Sequence, residues 1–178
     1  MRVIGIDPGT RHLGWGVLDR IGGRIQHIDH GVIDTDATAS IADRLVTIDD
    51  ALGRIIETHA PNAASVEALF FAKDAQSAAK LGHARGVVLL RLARVGVAIH
   101  EYPPARVKRA IAGSGMATKE QVQRTIAQLL SLTVLPKLDA SDALANAFAH
   151  LAMAPFEEAL RRMGVAPAPT KRGRRRHA

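Results

Sequence analysis

Four acidic residues stand where they could act together. Asp7 closes a short apolar run, residues 3–6, and enters the turn Pro8-Gly9-Thr10; Glu67 closes a second apolar run in ASVEALF. Asp139 and Asp142, three residues apart in LDASDALANA, share one face of a helical first turn. The carboxyl ends of adjacent parallel strands converge on one rim, where open α/β sheets place their sites. If the helix start packs there too, four carboxylates meet. Like charges at close range repel, so such a cluster needs counter-cations or protonation. Hard divalent ions with oxygen ligands suit it, and Mg²⁺ takes few carboxylates while keeping waters. Two such ions about 4 Å apart can clamp the attacking water and leaving oxygen of a phosphodiester. The rival chemistry for the turn after Asp7 is a phosphate cradle, but neither GxxxxGK[ST] nor GxGxxG occurs there.

Each acid also has a plainer role open to it. Asp139 could be an N-cap and Asp142 a favourable charge on the helix dipole. Glu67 could be an exposed strand end, and Asp7 an Asx residue capping its turn. What favours a joint role is that two strand ends and one helix start belong to a single expected rim.

The elements that must position them follow from periodicity. Alternating apolar residues predict strands over about 2–7, 14–20 and 24–33, with Gly22-Gly23 as a hairpin turn. Connections this short make an antiparallel meander. A helix over about 40–59 carries Ile41, Leu45, Ile48, Leu52 and Ile55 in phase, and Pro61-Asn62 stops it. The buried strand ASVEALF, a long helix over about 74–94 and the strand VGVAIHEY, begun at Gly96, continue the chain. This alternation implies crossovers and parallel neighbours. Pro103-Pro104 opens a short helix, and Thr118 with Gln121 forms a capping box for another reaching about residue 132. The last helix begins at Asp139 and passes His150. The expected fold is α/β: a mixed five-stranded sheet, antiparallel on one side and parallel on the other, with helices on both faces.

The 178 residues, 47% hydrophobic, suit one domain over 1–165 with a Pro-, Ala- and Arg-rich tail over 166–178 that we expect to be disordered. Cysteine is absent, which excludes a disulfide framework and a thiolate nucleophile and fits a cytoplasmic location. No apolar run approaches transmembrane length, and MRVIGIDPG reads as a strand start rather than a signal peptide. A net charge of +7 points to a polyanionic partner, yet five of those charges lie in KRGRRRHA, and removing them leaves +2. Any nucleic-acid site on the body must come from local placement of charge.

Aromatic residues make up only 3% of the chain, so Phe70 and Phe71 stand out directly after Glu67. Phe71 reads as core. Phe70 reads as core or as an exposed platform for a base, a stack worth about 1–3 kcal/mol. Lys108 in ARVKRAI belongs to a basic helix face, solvated or functional. In AGSGMATKEQV a glycine turn leads to a helix whose first turn carries Lys119, which suits either a phosphate or an ordinary cap. The long helix places Ala75, Ala78, Ala79, Gly82 and Gly86 three or four apart, a stripe that packs on the sheet or against a two-fold partner helix. Gly is costly inside helices, which favours the partner. His27, His30, His83 and His100 show no ligand spacing, and Trp15 reads as core.

IGIDPGTRHLGWGV, VEALFFAKDAQSAAKLGHARGV, PPARVKRAIAGSGMATKEQV and LDASDALANAFAH together resemble the RuvC family of bacterial Holliday-junction resolvases, over about residues 1–153. The resemblance implies a ribonuclease H-like fold and a homodimeric endonuclease that nicks two opposed strands of a four-way junction in recombination and repair. It implies Asp7, Glu67, Asp139 and Asp142 as catalytic, metal-binding acids for two Mg²⁺ ions, with Mn²⁺ as a substitute. It also implies DNA contacts from Phe70, Lys108 and Lys119, and a branch-migration partner, RuvAB. Three rivals remain: a ribonuclease H-like nuclease for hybrids or other branched nucleic acids, an actin-like phosphotransferase, and a binding module without catalysis. The second needs a further phosphate loop and domain. The third is opposed by four acids that would repel a phosphate backbone.

Overall fold

The structure is a computed structural model and describes residues 1–68 and 75–165. The expectations for Phe70 and Phe71 as platform and core, and for a disordered tail over 166–178, lie outside the described residues.

β1 (Arg2–Asp7) is buried on both sides, with Val3 and Ile4 fully enclosed. β2 (His12–Ile21) and β3 (Arg24–Asp34) complete the antiparallel meander, joined at Gly22 and Gly23, both at positive φ. β4 (Ala63–Glu67) and β5 (Ala98–Tyr102) extend the other side in parallel, giving the order β3-β2-β1-β4-β5. The expected five-stranded mixed sheet is therefore the observed one. β3 carries one extra residue, Ile28, because Val17 pairs with Asp29 while Leu18 pairs with His27.

α1 (Ile41–His59) is capped by Ser40, whose side chain accepts from the Asp43 amide. It packs with α2 (Ala75–Arg94) on one face of the sheet, where Ile48, Leu52, Val88 and Leu92 join Ile4, Ile6 and Val66. The other face is covered by α3 (Pro104–Ala112), α4 (Lys119–Leu129) and α5 (Leu138–Arg162). The expected capping box is present: Thr118 accepts from the Gln121 amide while the Gln121 side chain accepts from the Thr118 amide. β2 starts two residues earlier than expected, at His12, and β4 ends at Glu67 rather than running on through Ala68; two further differences have a visible backbone cause. α4 ends three residues early because Ser131 takes a left-handed φ of 53°. Gly96, at φ 73°, lies in the turn closing α2, and the strand begins only at Ala98.

α5 lies close on the sheet because β1 and β2 offer it glycines. A Cβ on Gly5 would stand 1.9 Å from the Ala143 carbonyl oxygen, and one on Gly14 would stand 1.9 Å from that of Asp139. Both obstacles are backbone, so no side-chain rotation could make room.

Deeper along α5, His150 is 1% exposed. Its Nδ1 lies 2.8 Å from the Tyr102 hydroxyl, its ring stacks 4.2 Å from His100, and its Nε2 has no hydrogen-bond partner. Burial, then the neighbouring His100, lowers its pKa to about 4. The folded state thus resists a proton that the unfolded chain accepts near 6.5. Stability from this group is complete above 6.5 and declines as pH falls toward 4, by at most about 3 kcal/mol. Thermal melts across that range should show a steeper acid-side loss for wild type than for His150→Asn. Parallel curves would assign the acid sensitivity elsewhere.

Candidate active site

Asp7 is the last residue of β1 and Glu67 the last of β4, and these strands are parallel neighbours, so both carboxylates leave the sheet at one rim. α5 starts at the same rim, with the backbone of Asp139 against Gly14, the partner of Asp7 across the meander. Asp142, one turn further on, lines a cleft of about 90 Å³ with Glu67, Lys108, Lys119 and Asn146. Asn146 is buried and donates to the Ile6 carbonyl at 3.4 Å, tying α5 to β1 one residue before Asp7.

The charges in this cleft act on each other. Burial pushes the Asp7 carboxyl up to about 7, and the nearby charges of Asp142 and Glu67 push the same way, with Asp139 adding least. Glu67 is also raised, by burial and then by Asp142, against the opposing pull of Lys119, Lys108 and Arg85. The Lys119 ammonium sits 2.7 Å from Asp142 Oδ2. Burial disfavours its charge, but the bond to Asp142 and the fields of Asp7 and Glu67 outweigh that and raise its pKa. The site thus favours a proton on Asp7 and Glu67 and supplies Asp142 with a counter-cation.

Of the seven residues marked out by the sequence, six fall in or beside this cleft. Glu67, Asp142, Lys108 and Lys119 line it, and Asp7 is near enough to feel the charges of Asp142 and Glu67 and, least, that of Asp139. Phe70 lies outside the described residues. Among the described residues, no three histidine, aspartate or glutamate side chains close round one point as a ready metal cage. The donor set nevertheless suits a hard divalent ion: it is all oxygen, and an ammonium already serves Asp142 as cation.

One contributor escaped the sequence reading. Arg85 on α2 has a side chain only 7% exposed; its Nη1 donates to the Glu67 carbonyl at 2.6 Å, and its Nη2 pairs with Glu101 on β5. It secures the strand end from which the Glu67 carboxylate projects. The signal available was an arginine among the apolar positions of a helix, and its target lies 18 residues away.

Comparison with known proteins places this geometry. The family model for crossover junction endodeoxyribonuclease RuvC matches residues 3–150. The RuvC endodeoxyribonuclease of Sorangium cellulosum is 62% identical over 178 residues, covering 100% of this chain and 98% of that protein. That of Syntrophotalea carbinolica is 49% identical over 150 residues, covering 84% and 93%. Among solved structures, Thermus thermophilus RuvC in complex with a Holliday junction substrate superposes with a TM-score of 0.81 at 34% identity, covering 93% of this chain and 98% of that one. The yeast mitochondrial Holliday junction resolvase shares the fold, with a TM-score of 0.65 at 13% identity. On that match over residues 3–150, that identity over the whole length and that superposition, this chain belongs to the RuvC crossover junction endodeoxyribonucleases, of ribonuclease H-like fold.

Proposed function

We propose that this chain resolves four-way DNA junctions by paired, symmetric nicks, using Asp7, Glu67, Asp139 and Asp142 to hold two Mg²⁺ ions. The observation that carries this reading is one cleft lined by Glu67, Asp142, Lys108 and Lys119, with Asp7 close enough to feel the charges of both acids. When bound, the ions supply a water activated for attack and charge to stabilise the leaving oxygen. The chain's own residues do the positioning. β1 and β4 fix Asp7 and Glu67, the first two turns of α5 fix Asp139 and Asp142, and Lys108 and Lys119 attract the phosphate that the acids alone would repel. Phe70, three residues beyond Glu67, is assigned to stacking on a base at the crossover.

Paired cuts need two sites related by a two-fold axis, the symmetry of an open junction. α2 offers the surface. Ala84, Val88 and Leu92 face the core, while Ala79, His83, Gly86 and Leu90 are exposed on the opposite side. Among the described residues, a Cβ added at Gly82 or Gly86 would meet nothing within 4 Å, so neither glycine makes room for a described neighbour. We assign this face to a homodimer. Gly82→Leu should leave the monomer as stable or up to about 1 kcal/mol more stable, since leucine is the better helix former. The same variant should sediment as a monomer and lose paired cutting. A dimeric Gly82→Leu protein with normal resolution would move the interface elsewhere. RuvAB remains the expected branch-migration partner.

The activity itself is tested with a labelled four-way junction, a nicked duplex and an RNA–DNA hybrid, each with Mg²⁺ or EDTA. Symmetric, Mg²⁺-dependent cuts in the junction alone support the reading. Preferential cutting of the hybrid would transfer the chain to the rival nuclease activity.

A further inference from the structure

We propose that Lys119 is an internal counter-cation that keeps metal off Asp142 until DNA draws the ammonium away, so that metal and junction bind cooperatively through this one side chain. The inference rests on the metal reading above and adds an order of events to it.

Among the described residues, Lys119 is the cation within ion-pair distance of Asp142, with Nζ 2.7 Å from Oδ2. Its backbone is pinned in the first turn of α4 by the Thr118–Gln121 capping box, so movement is left to the side chain. That side chain is 61% exposed, whereas Asp142 is 18% exposed. The ammonium can therefore swing into solvent or onto a phosphate, while the carboxylate stays in the cleft. Mg²⁺ takes carboxylate oxygens at about 2.0–2.1 Å, inside the distance Lys119 now keeps. Two cations on one carboxylate oxygen repel, so each opposes the other. A phosphate entering the cleft is an alternative acceptor for the ammonium, and its arrival leaves Asp142 open to the ion. Reciprocity then requires bound metal to favour DNA to the same degree.

The arrangement has a competitor with the opposite sign. If the ion takes Oδ1 while Lys119 stays on Oδ2, the lysine orients the ligand, and its removal weakens metal binding. Lys108 supplies the control, because it lines the same cleft without pairing with Asp142.

The experiment is Mn²⁺ binding to the DNA-free protein by calorimetry and by electron paramagnetic resonance, for wild type, Lys119→Met, Lys119→Gln and Lys108→Met. Circular dichroism verifies folding. Both Lys119 variants should bind Mn²⁺ about tenfold more tightly than wild type, within the usual range of coupling between sites, and Lys108→Met clearly less so. In a second arm, junction affinity is read by fluorescence anisotropy with and without Ca²⁺, with the DNA checked for cuts on a denaturing gel. Ca²⁺ should strengthen junction binding more in wild type than in Lys119→Met. If wild type binds Mn²⁺ but the Lys119 variants bind it no more tightly, the inference is overturned while the metal site stands. Equal gains in Lys108→Met and Lys119→Met would replace the gate with a general field effect. A wild type that binds no Mn²⁺, with or without junction, would remove the metal reading and this inference together.

Discussion

Replacing Asp7 with asparagine is expected to abolish cutting and, in the same protein, to raise the melting temperature measured in EDTA at pH 8. The loss of activity should be roughly 10³-fold or more, the scale on which a group central to catalysis is missed. Junction binding should persist or tighten, because one charge facing phosphate is gone. The gain in stability follows from the pKa of about 7 that burial, Asp142 and Glu67 impose on Asp7. A folded value above the unfolded one means that the fold favours the protonated acid. Its stabilising contribution is complete below about 4 and lost as pH rises through 7. At pH 8 the ionised Asp7 costs at most about 4 kcal/mol. Relief of even half of that raises the melting point of a domain this size by roughly 5 °C. The advantage should shrink below pH 5 and reverse with saturating Mg²⁺, which stabilises only the protein that binds it. Cutting at limiting Mg²⁺ should likewise rise with pH through the range where the coupled acids lose their protons. An Asp7→Asn enzyme that cuts normally would take Asp7 out of the site. One that melts below wild type at pH 8 would show that the carboxylate is not held against its preference.

The second large effect is expected from a single methyl group. In Gly14→Ala the new Cβ would be placed 1.9 Å from the carbonyl oxygen of Asp139, a backbone atom at the start of α5. Contacts below 3.0 Å are essentially never made by real Cβ atoms, so the first turn of α5 must retreat by about 1 Å. Overpacking of this kind costs about 1–3 kcal/mol. The larger loss should be catalytic, since misplacement by about 1 Å costs roughly 10²-fold in rate where reacting groups must be aligned. Thermal melts and single-turnover cutting on the same preparation separate the two effects. Gly86→Ala, where the added Cβ meets nothing among the described residues, should by contrast melt no lower than wild type, since alanine is the better helix former. A Gly14→Ala protein with wild-type melting and cutting would show that α5 does not need the glycine seat.

The features legible in the sequence were those encoded locally. The doubly buried β1 is an apolar run, the β2–β3 turn is Gly22-Gly23, and the α4 cap is written in Thr118 and Gln121. The rim could be foreseen because parallel pairing alone puts Asp7 and Glu67 side by side. What could not be read were contacts whose two halves lie far apart in the chain. Gly14 reads from the sequence as the start of a strand, and only the presence of α5 over 120 residues later reveals it as a seat. Lys119 was marked for phosphate, but its present partner is Asp142, 23 residues away on another helix. Arg85 gave no sign that it reaches the Glu67 carbonyl. The bulge at Ile28 and the left-handed Ser131 that ends α4 early have no glycine to announce them.

The seating of α5 on β1 and β2 also has a consequence for synthesis. A ribosome that has extruded the first 137 residues has made every strand of the sheet, with Asp7 and Glu67 in place, but neither Asp139 nor Asp142. Closing the fold then requires a helix from the end of the chain to dock on strands from its beginning, a long-range contact of the kind that forms slowly and late. Nascent, truncated or proteolytically clipped chains should therefore be inert. For an enzyme that cuts the cell's own DNA, the order in which the chain is made acts as a safety catch.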